Sequence, residues 1–382
     1  MALCELKNQQ ATLETIREQL RVLGGKNVTL GFDGFIDSVV KVVEQKDQND
    51  VAHYFESTRA FGEYIVEKGQ KSFSIELEEQ TKKLGGNMPI MANALAHLGA
   101  DVSCIGPLGY PEIHPVFALM KQCHLYSFGN PGLTKVLEFN SGKIMMAEMN
   151  DLNDIPWEFI RDIIGTGIFR ALAANSDLIA ILNWSELDNS TAIWKGLLRD
   201  ILPETSSKNK PIGFFDLSDC SKRQTPAILD AMKLLTDFTK HWDVMLSLNL
   251  NEATIIHSAL TGEKKGTDNI DKICNDIFDT LGIKTVIIHS ARQSLARDND
   301  GVHVQKSFFI EKPTISSGAG DNFNAGFAAG CLMDLTTPAS LLLGNATSAL
   351  YMQSANSPSM IEVIEFLSKN LSMWGGADNH DQ

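Results

Sequence analysis

The sequence Ser317-Gly318-Ala319-Gly320-Asp321-Asn322-Phe323 places small residues and an aspartate at the start of an apolar stretch, which predicts a helix over residues 322–332. The first N–H groups of a helix have no partner inside it and lie at the positive end of its dipole. They form an anion site that Gly or Ala leaves open to a phosphate. Asp321 would repel that phosphate, but it suits a base that deprotonates a hydroxyl attacking it. The alternative is a simple turn with Asp321 as a helix cap.

Three further stretches favour the chemical interpretation. Leu84-Gly85-Gly86-Asn87 opens a second predicted helix, over residues 88–98. Leu248-Asn249-Leu250-Asn251-Glu252 ends an apolar strand, which places Asn249 and Glu252 at its carboxyl edge. Gly31-Phe32-Asp33-Gly34-Phe35-Ile36-Asp37 follows the first apolar strand. Glycines and polar side chains therefore recur at strand ends and helix starts, where ligands of open α/β sheets bind.

In this order the four stretches resemble the ribokinase-like (PfkB-type) family of carbohydrate and nucleoside kinases, from about Asn27 to the last helix. Residues 317–323 resemble its C-terminal signature, and the Gly85-Gly86 run, ending at Ala96-His97-Leu98-Gly99-Ala100, resembles its N-terminal one. The resemblance implies an α/β fold, a three-layer α-β-α sandwich with a mostly parallel central sheet and a small β-sheet lid. It also implies ATP as phosphoryl donor and Mg²⁺ as cofactor.

Composition agrees with one large domain over residues 1–382, with a discontinuous lid at about 37–84 and 125–150 and a disordered tail at 375–382. The net charge of −14 argues against nucleic-acid and anionic-membrane partners, which need clustered Lys and Arg. The six cysteines show neither close pairing nor metal-ligand spacing, which favours a reducing cytoplasm. We leave the oligomeric state open, with a homodimer as one option.

Apolar strands alternate with helical patterns along most of the chain, which predicts a parallel sheet covered on both faces. The predicted strands are residues 28–32, 102–105, 178–182, 212–215, 244–248 and 285–289. Residues 38–43 and 74–77, with a hairpin over 134–148, predict lid strands outside this sheet. A helix is predicted between the lid strands, over residues 51–69, and another over 13–23.

The resemblance also assigns roles to individual residues. Asp321 matches the family's catalytic base, and the N–H groups of Gly318, Ala319 and Gly320 match its anion hole. Asn249 and Glu252 match an Asn-x-x-Glu motif that helps to hold Mg²⁺ and phosphate through water.

Substrate contacts are expected from the N-terminal half of the chain. The family's N-terminal aspartate, which accepts hydrogen bonds from sugar hydroxyls, corresponds to Asp37 or to Asp33, and we prefer Asp37 because it leads into the lid. Gly86 lets a substrate lie against the backbone, and Asn87 can donate or accept beside it.

The nucleotide region departs from the family pattern. The usual Thr-x-Gly-x-x-Gly corresponds to Ile288-His289-Ser290-Ala291-Arg292-Gln293, in which both glycines are lost. We expect Ser290, Arg292, Asn249 and Asn345 to contact the nucleotide, with Asn345 on a helix over residues 341–352. The altered loop leaves the identity of the phosphoryl donor open.

The sequence thus predicts an ATP-dependent, Mg²⁺-requiring carbohydrate kinase that acts on a small sugar. A nucleoside kinase of the same family is the alternative within the enzyme class. A sugar- or nucleoside-binding sensor without transfer activity is the alternative outside it. A Rossmann dehydrogenase is excluded, because no Gly-x-Gly-x-x-Gly follows the first strand.

Overall fold

The computed structural model describes residues 2–206, 209–263 and 269–370. The predicted disordered tail at 375–382 lies outside these residues. The helices are α1 Ala2–Leu23, α2 Thr58–Lys68, α3 Asn87–Leu98, α4 Asn150–Asn153, α5 Trp157–Ile164, α6 Thr166–Asn175, α7 Ser190–Gly196, α8 Thr225–Phe238, α9 Leu250–Thr261, α10 Ile270–Leu281, α11 Ala319–Leu332, α12 Thr337–Ser354 and α13 Met360–Lys369. Short 3₁₀ turns occupy Phe117–Leu119, Leu202–Glu204 and Cys220–Lys222, and a π-helical turn occupies Leu197–Ile201.

The strands form two sheets. They are β1 Asn27–Gly31, β2 Phe35–Lys46, β3 Ala52–Tyr54, β4 Leu77–Gly85, β5 Asp101–Gly106, β6 Cys123–Ser127, β7 Gly132–Phe139, β8 Gly142–Glu148, β9 Leu178–Leu182, β10 Ile212–Asp216, β11 Asp243–Asn249, β12 Thr285–His289, β13 Gln293–Asp298 and β14 Gly301–Lys306. The large sheet has the order β14-β13-β12-β11-β10-β9-β1-β5-β6. Its strands run parallel except for β13 and β14, which are antiparallel to their neighbours.

Both faces of the large sheet are covered, as its apolar strands require. Successive residues of a strand point to opposite faces. Leu178, Ala180 and Leu182 of β9 therefore join the core formed with α1, α3, α11, α12 and α13. Ile179 and Ile181 join the second core, formed with α5 to α10. The fold is thus the predicted three-layer α-β-α sandwich.

The small sheet is built around β2, which pairs with β3 and β4 in antiparallel orientation and with β7 in parallel orientation, while β8 pairs with β7. Its core holds Val40, Phe55, Phe61 and Leu137, together with α2. Only three residues separate β1 from β2. The small sheet therefore starts at the carboxyl edge of the large one.

Three element predictions need correction. Residues 74–77 were predicted as a lid strand, but β4 begins only at Leu77 and runs to Gly85, with exposed and mostly polar or charged residues along its first two thirds. Residues 51–69 were predicted as one helix, but Ala52–Tyr54 pairs with β2 and the helix begins after a Ser57 cap, whose side chain accepts from the Ala60 N–H. The N-terminal helix is longer than residues 13–23. Within the described part of the chain, we find no helix with the length and apolarity needed to cross a bilayer.

Candidate active site

At the carboxyl edge of the large sheet, polar residues that follow β9 and β10 lie close to residues of the small sheet. A cavity of about 420 Å³ opens there. Its lining comprises Phe35, Asp37, Gly86, Asn87, Ile90, Thr134, Met145, Ala147, Asn183, Glu186, Ser218, Asp219, Lys222, Ser317, Gly318 and Asp321. The two predicted signatures, which lie far apart in the sequence, thus line one cavity.

Helix α11 begins at this cavity. Gly318 precedes it with φ +88°, a left-handed conformation that favours glycine, and a Cβ at this position would lie 2.8 Å from the Tyr351 hydroxyl. The Tyr351 hydroxyl donates to the Ser317 carbonyl at 2.9 Å. Asp321 is the third residue of α11, and its side chain is 7 % exposed. An open helix start therefore lies beside a buried carboxylate.

Asn87, the first residue of α3, is bonded directly to that carboxylate. Its Nδ2 donates to Asp321 Oδ1 at 2.9 Å, and its Oδ1 accepts from the Ser218 hydroxyl at 2.9 Å. Both polar atoms of the amide are engaged, although Asn87 lines the cavity. The predicted substrate contact is thus also a residue that orients Asp321.

Of the two aspartates considered for the substrate, Asp33 is enclosed. It is 0 % exposed, and it accepts from the N–H groups of Asn87 and Met88 at 2.8 Å and from Asn183 Nδ2 at 2.9 Å. Burial raises its pKa despite these bonds. Gly86, with φ +87°, leaves room for it, because a Cβ there would lie 2.6 Å from Asp33 Oδ2. Asp33 therefore caps helix α3 from within the core and does not reach the cavity, contrary to the alternative substrate role.

Asp37 of β2 lines the cavity instead. Burial raises the pKa of this carboxyl, while the positive charges of Lys83 and Lys143 and a hydrogen bond with Thr134 act in the opposite direction. Thr134 also lines the cavity from β7. The preference for Asp37 over Asp33 as the substrate contact agrees with this placement, and the contact itself stays a prediction.

Acidic side chains concentrate behind the cavity. Burial, followed by the charges of Asp216 and Asp33, raises the pKa of Asp321 well above its ordinary value. Burial raises the pKa of Asp216 to about 6, and burial together with Asp216 raises that of Glu252 to about 8. Like charges that share a desolvated region disfavour each other's ionisation. This region therefore favours a bound cation electrostatically.

Asn249 and Glu252 form a capping box at the start of α9. The Asn249 side chain accepts from the Glu252 N–H at 2.9 Å, and Glu252 accepts from the Asn249 N–H at 2.8 Å and from its Nδ2 at 2.6 Å. Among the described residues, no group of three or more His, Cys, Asp or Glu side chains is arranged to chelate a metal ion. The oxygen-rich donor set fits Mg²⁺ held through water, and it does not form a closed protein cage.

The residues predicted to contact the nucleotide lie apart from the cavity lining. Ser290 closes the turn between β12 and β13 by donating to the Gln293 carbonyl at 2.8 Å, and Arg292 is exposed in that turn. Asn345 is 4 % exposed and donates to Ser294 Oγ at 2.9 Å. Its amide connects α12 to β13, which is typical of a structural residue. Contacts of these residues with a nucleotide stay predictions.

Several lining residues were not proposed as site residues from the sequence. Ser218 and Thr134 belong to no recognised sequence motif. The structure identifies them by their hydrogen bonds to Asn87 and Asp37, respectively. Asn183 follows β9 and Asp216 ends β10. Asn183 lines the cavity, and its Oδ1 atom is buried without a hydrogen-bond partner among the described residues.

Solved structures with the same fold are sugar kinases and their relatives. A ribokinase from Arabidopsis thaliana complexed with ribose and ATP matches with a TM-score of 0.60 at 15% identity, covering 90% of this chain and 98% of that one. A putative ribokinase II from E. coli in complex with ATP and Mg²⁺ matches with a TM-score of 0.61 at 12% identity, covering 90% and 99%. The chain thus has the fold of these ribokinases.

The family follows from sequence comparison. Residues 6–370 match the family model described as prokaryotic ketohexokinase, and the chain belongs to this family. A ketohexokinase from Haloferax volcanii is 26% identical over 368 residues, which span 95% of this chain and 97% of that protein. The chain is therefore a carbohydrate kinase, a phosphotransferase with an alcohol group as acceptor, as the sequence predicted.

Proposed function

We propose that the protein is an ATP-dependent ketohexokinase, which transfers the γ-phosphoryl group of ATP to a hydroxyl of a ketohexose with Asp321 as general base. One observation carries the proposal: Asp321, Asn87, Gly318 and Asp37 line the same cavity. A hydroxyl held there by Asp37 lies between a base and an anion site, as phosphoryl transfer requires.

Asp321 is suited to act as a base. A carboxyl whose pKa is raised accepts a proton more readily than an ordinary one, and an ideal catalytic pKa lies near the working pH. Asn87 Nδ2 donates a hydrogen bond to Oδ1 of this carboxylate. The other oxygen, Oδ2, can therefore accept the proton of the substrate hydroxyl. The N–H groups at the start of α11 stabilise charge on the phosphoryl group during transfer.

The lining favours an uncharged sugar over a sugar phosphate. Among the described residues that line the cavity, the basic one is Lys222, and its Nζ donates to Glu186 at 2.7 Å and 2.9 Å. Lys83 and Lys143 act on Asp37 from outside the lining. A phosphorylated substrate would meet Asp219 and Asp321 without a free cation to balance its charge. Asn183 Oδ1 and Asp37 instead offer acceptors for sugar hydroxyls.

We propose Mg²⁺ as the cofactor of this reaction, held with the phosphate groups through water near Glu252, Asn249 and Asp216. The ion supplies positive charge that neutralises the phosphate oxygens. Burial and, to a lesser extent, like-charge repulsion raise the pKa values of Asp216 and Glu252, and a bound cation would offset the repulsion. With ATP as donor, we expect the enzyme to work in the cytoplasm.

The proposal is tested by measuring ADP formation from MgATP with D-fructose, other ketohexoses, D-glucose, D-ribose and adenosine. The product is identified by phosphorus NMR. We expect phosphorylation of ketohexoses and little or none of adenosine. Preference for adenosine would instead establish the nucleoside kinase alternative. Binding of sugar without turnover of any nucleotide would establish the sensor.

The role of Asp321 is tested with a matched pair of variants. Asp321→Asn removes the base, and Asp334→Asn removes the same charge beyond the other end of α11, where Asp334 is exposed. Only Asp321→Asn should lower kcat, by about 10²- to 10⁴-fold, while both variants bind the sugar. Comparable activity of the two variants would contradict the assignment.

A further inference from the structure

His289 is the last residue of β12, and its ring lies against the start of helix α11. Its Cε1 is 3.2 Å and its Nε2 3.8 Å from the point where a Cβ on Gly320 would lie. The ring packs on Phe323 with 4.9 Å between ring centroids. The imidazole therefore occupies the space that the glycine leaves open, beside the N–H groups of the anion hole.

The Nε2 atom of His289 is buried and has no hydrogen-bond partner within the described part of the chain. Buried polar side-chain atoms almost always have a partner, and a lone one calls for an explanation such as a ligand. The residue as a whole is half-buried, whereas the Nε2 atom is covered. Burial lowers the pKa of His289 to about 4, so the ring is neutral at neutral pH.

The surroundings indicate what kind of group is missing. The first-turn N–H groups of α11 are donors at the positive end of a helix dipole, so they attract an acceptor with negative charge. A neutral imidazole with its proton on Nε2 adds one more donor to the same place. The oxygens of one phosphate group can accept from several of these donors together.

We propose that His289 contacts the phosphoryl donor, with its Nε2–H donating to a phosphate oxygen of the nucleotide bound at the start of α11. This inference rests on the proposed function. The contact compensates for the glycine-rich turn that the chain lacks after β12, where Ser290 and Arg292 stand. A Cβ on Gly320 would lie 3.2 Å from Cε1 of His289, so the ring would have to shift by a few tenths of an ångström.

The first test follows the imidazole itself in the intact protein. Two-dimensional ¹H–¹⁵N NMR records the ring nitrogens of the nine histidines, and the His289 signals are assigned by their absence from the His289→Gln variant. We expect MgADP, and inorganic phosphate at higher concentration, to shift the Nε2 resonance and fix the proton there. D-fructose alone should not do so. An Nε2 resonance that MgADP leaves unchanged would overturn the inference.

The second test measures nucleotide affinity by calorimetry. His289→Leu removes the donor, whereas His289→Gln keeps an N–H near the position of Nε2. A hydrogen bond to a charged group implies that the Leu variant binds MgATP and MgADP about 10- to 100-fold more weakly, with the Gln variant in between and sugar affinity unchanged. His257→Gln is the matched control, because His257 is also buried with one unpartnered nitrogen, but it bonds Asp276 of α10.

The outcomes separate this inference from the proposed function. If the wild type binds no nucleotide, both fail. If wild type and His289→Leu bind MgADP equally well, only the His289 contact fails, and the ring is a structural histidine satisfied by water. Should the Leu variant not fold, the NMR test on the wild type and the affinity of the Gln variant still decide.

Discussion

Replacing Glu252 by Gln tests the electrostatics of the candidate site directly. The substitution removes a buried charge but keeps a side-chain oxygen that accepts the Asn249 N–H of the capping box. Burial and the neighbouring Asp216 raise the pKa of Glu252 from 4.5 to about 8. Because folding raises this pKa, the native state binds a proton that the unfolded chain releases. Stability is therefore highest below pH 4.5 and is lost as pH rises through about 8.

The size of the effect follows from the two pKa values. At about 1.4 kcal/mol per pKa unit, the change from 4.5 to about 8 corresponds to at most about 5 kcal/mol of unfolding free energy. Glu252→Gln has no charge to bury. We expect the variant to match the wild type at pH 5 and to exceed its stability at pH 9, by up to this amount, in metal-free buffer.

Urea unfolding followed by circular dichroism at pH 5, 7 and 9 measures this difference. Glu362→Gln is the matched control, because Glu362 also completes a capping box, at the start of α13, but is exposed, and the Ser359 N–H lowers its pKa. That carboxylate stabilises the fold above its ordinary pKa, so its loss should not raise stability at pH 9. A Glu252→Gln variant that loses as much stability as the wild type between pH 5 and pH 9 would refute the reasoning.

Four further outcomes are expected. Asp321→Asn should lower kcat about 10²- to 10⁴-fold, as loss of a general base implies, with sugar affinity by calorimetry nearly unchanged. Asp37→Asn should raise the KM for the sugar about 10- to 100-fold in steady-state kinetics, because charged hydrogen bonds to hydroxyls are lost. Asp33→Asn should reduce the unfolding free energy by about 1–3 kcal/mol in urea titrations, because an NH₂ group faces donors of α3. Wild-type kcat/KM should fall as pH drops through the raised pKa of Asp321, and Asp216→Asn should shift this acid limb to lower pH.

The sequence predicts the fold well where one pattern determines one structure. Each of the six predicted apolar strands is present, because strands covered on both faces must be apolar throughout. Strands β13 and β14 were missed, because the exposed residues of β14, such as Val304, alternate with half-buried ones, such as His303, at a sheet edge. Residues 74–77 were assigned wrongly because polar and apolar residues alternate there, as in a strand. The residues of β4 that pair with β2 are mostly charged or polar and show no such alternation.

The candidate site was predictable only in part. Gly318 and Asp321 belong to a short motif, small residues followed by an aspartate at a helix start, that predicts an anion site with a neighbouring base. Both residues could therefore be predicted from the sequence. The choice between Asp33 and Asp37 depends on which of them faces the core, and spacing along the chain does not determine that. Ser218 and the unpartnered Nε2 of His289 depend on contacts between distant segments, which one sequence does not display.

The bonds of Asn87 have a consequence for synthesis of the protein. This residue joins partners that lie 54, 131 and 234 positions away along the chain, in Asp33, Ser218 and Asp321. Proteins are made from the N-terminus, and segments fold as they emerge. The contacts of Asn87 therefore cannot all form on the ribosome until the segment with Asp321 has left the exit tunnel. Chains released early from translation should accordingly be unable to consume ATP.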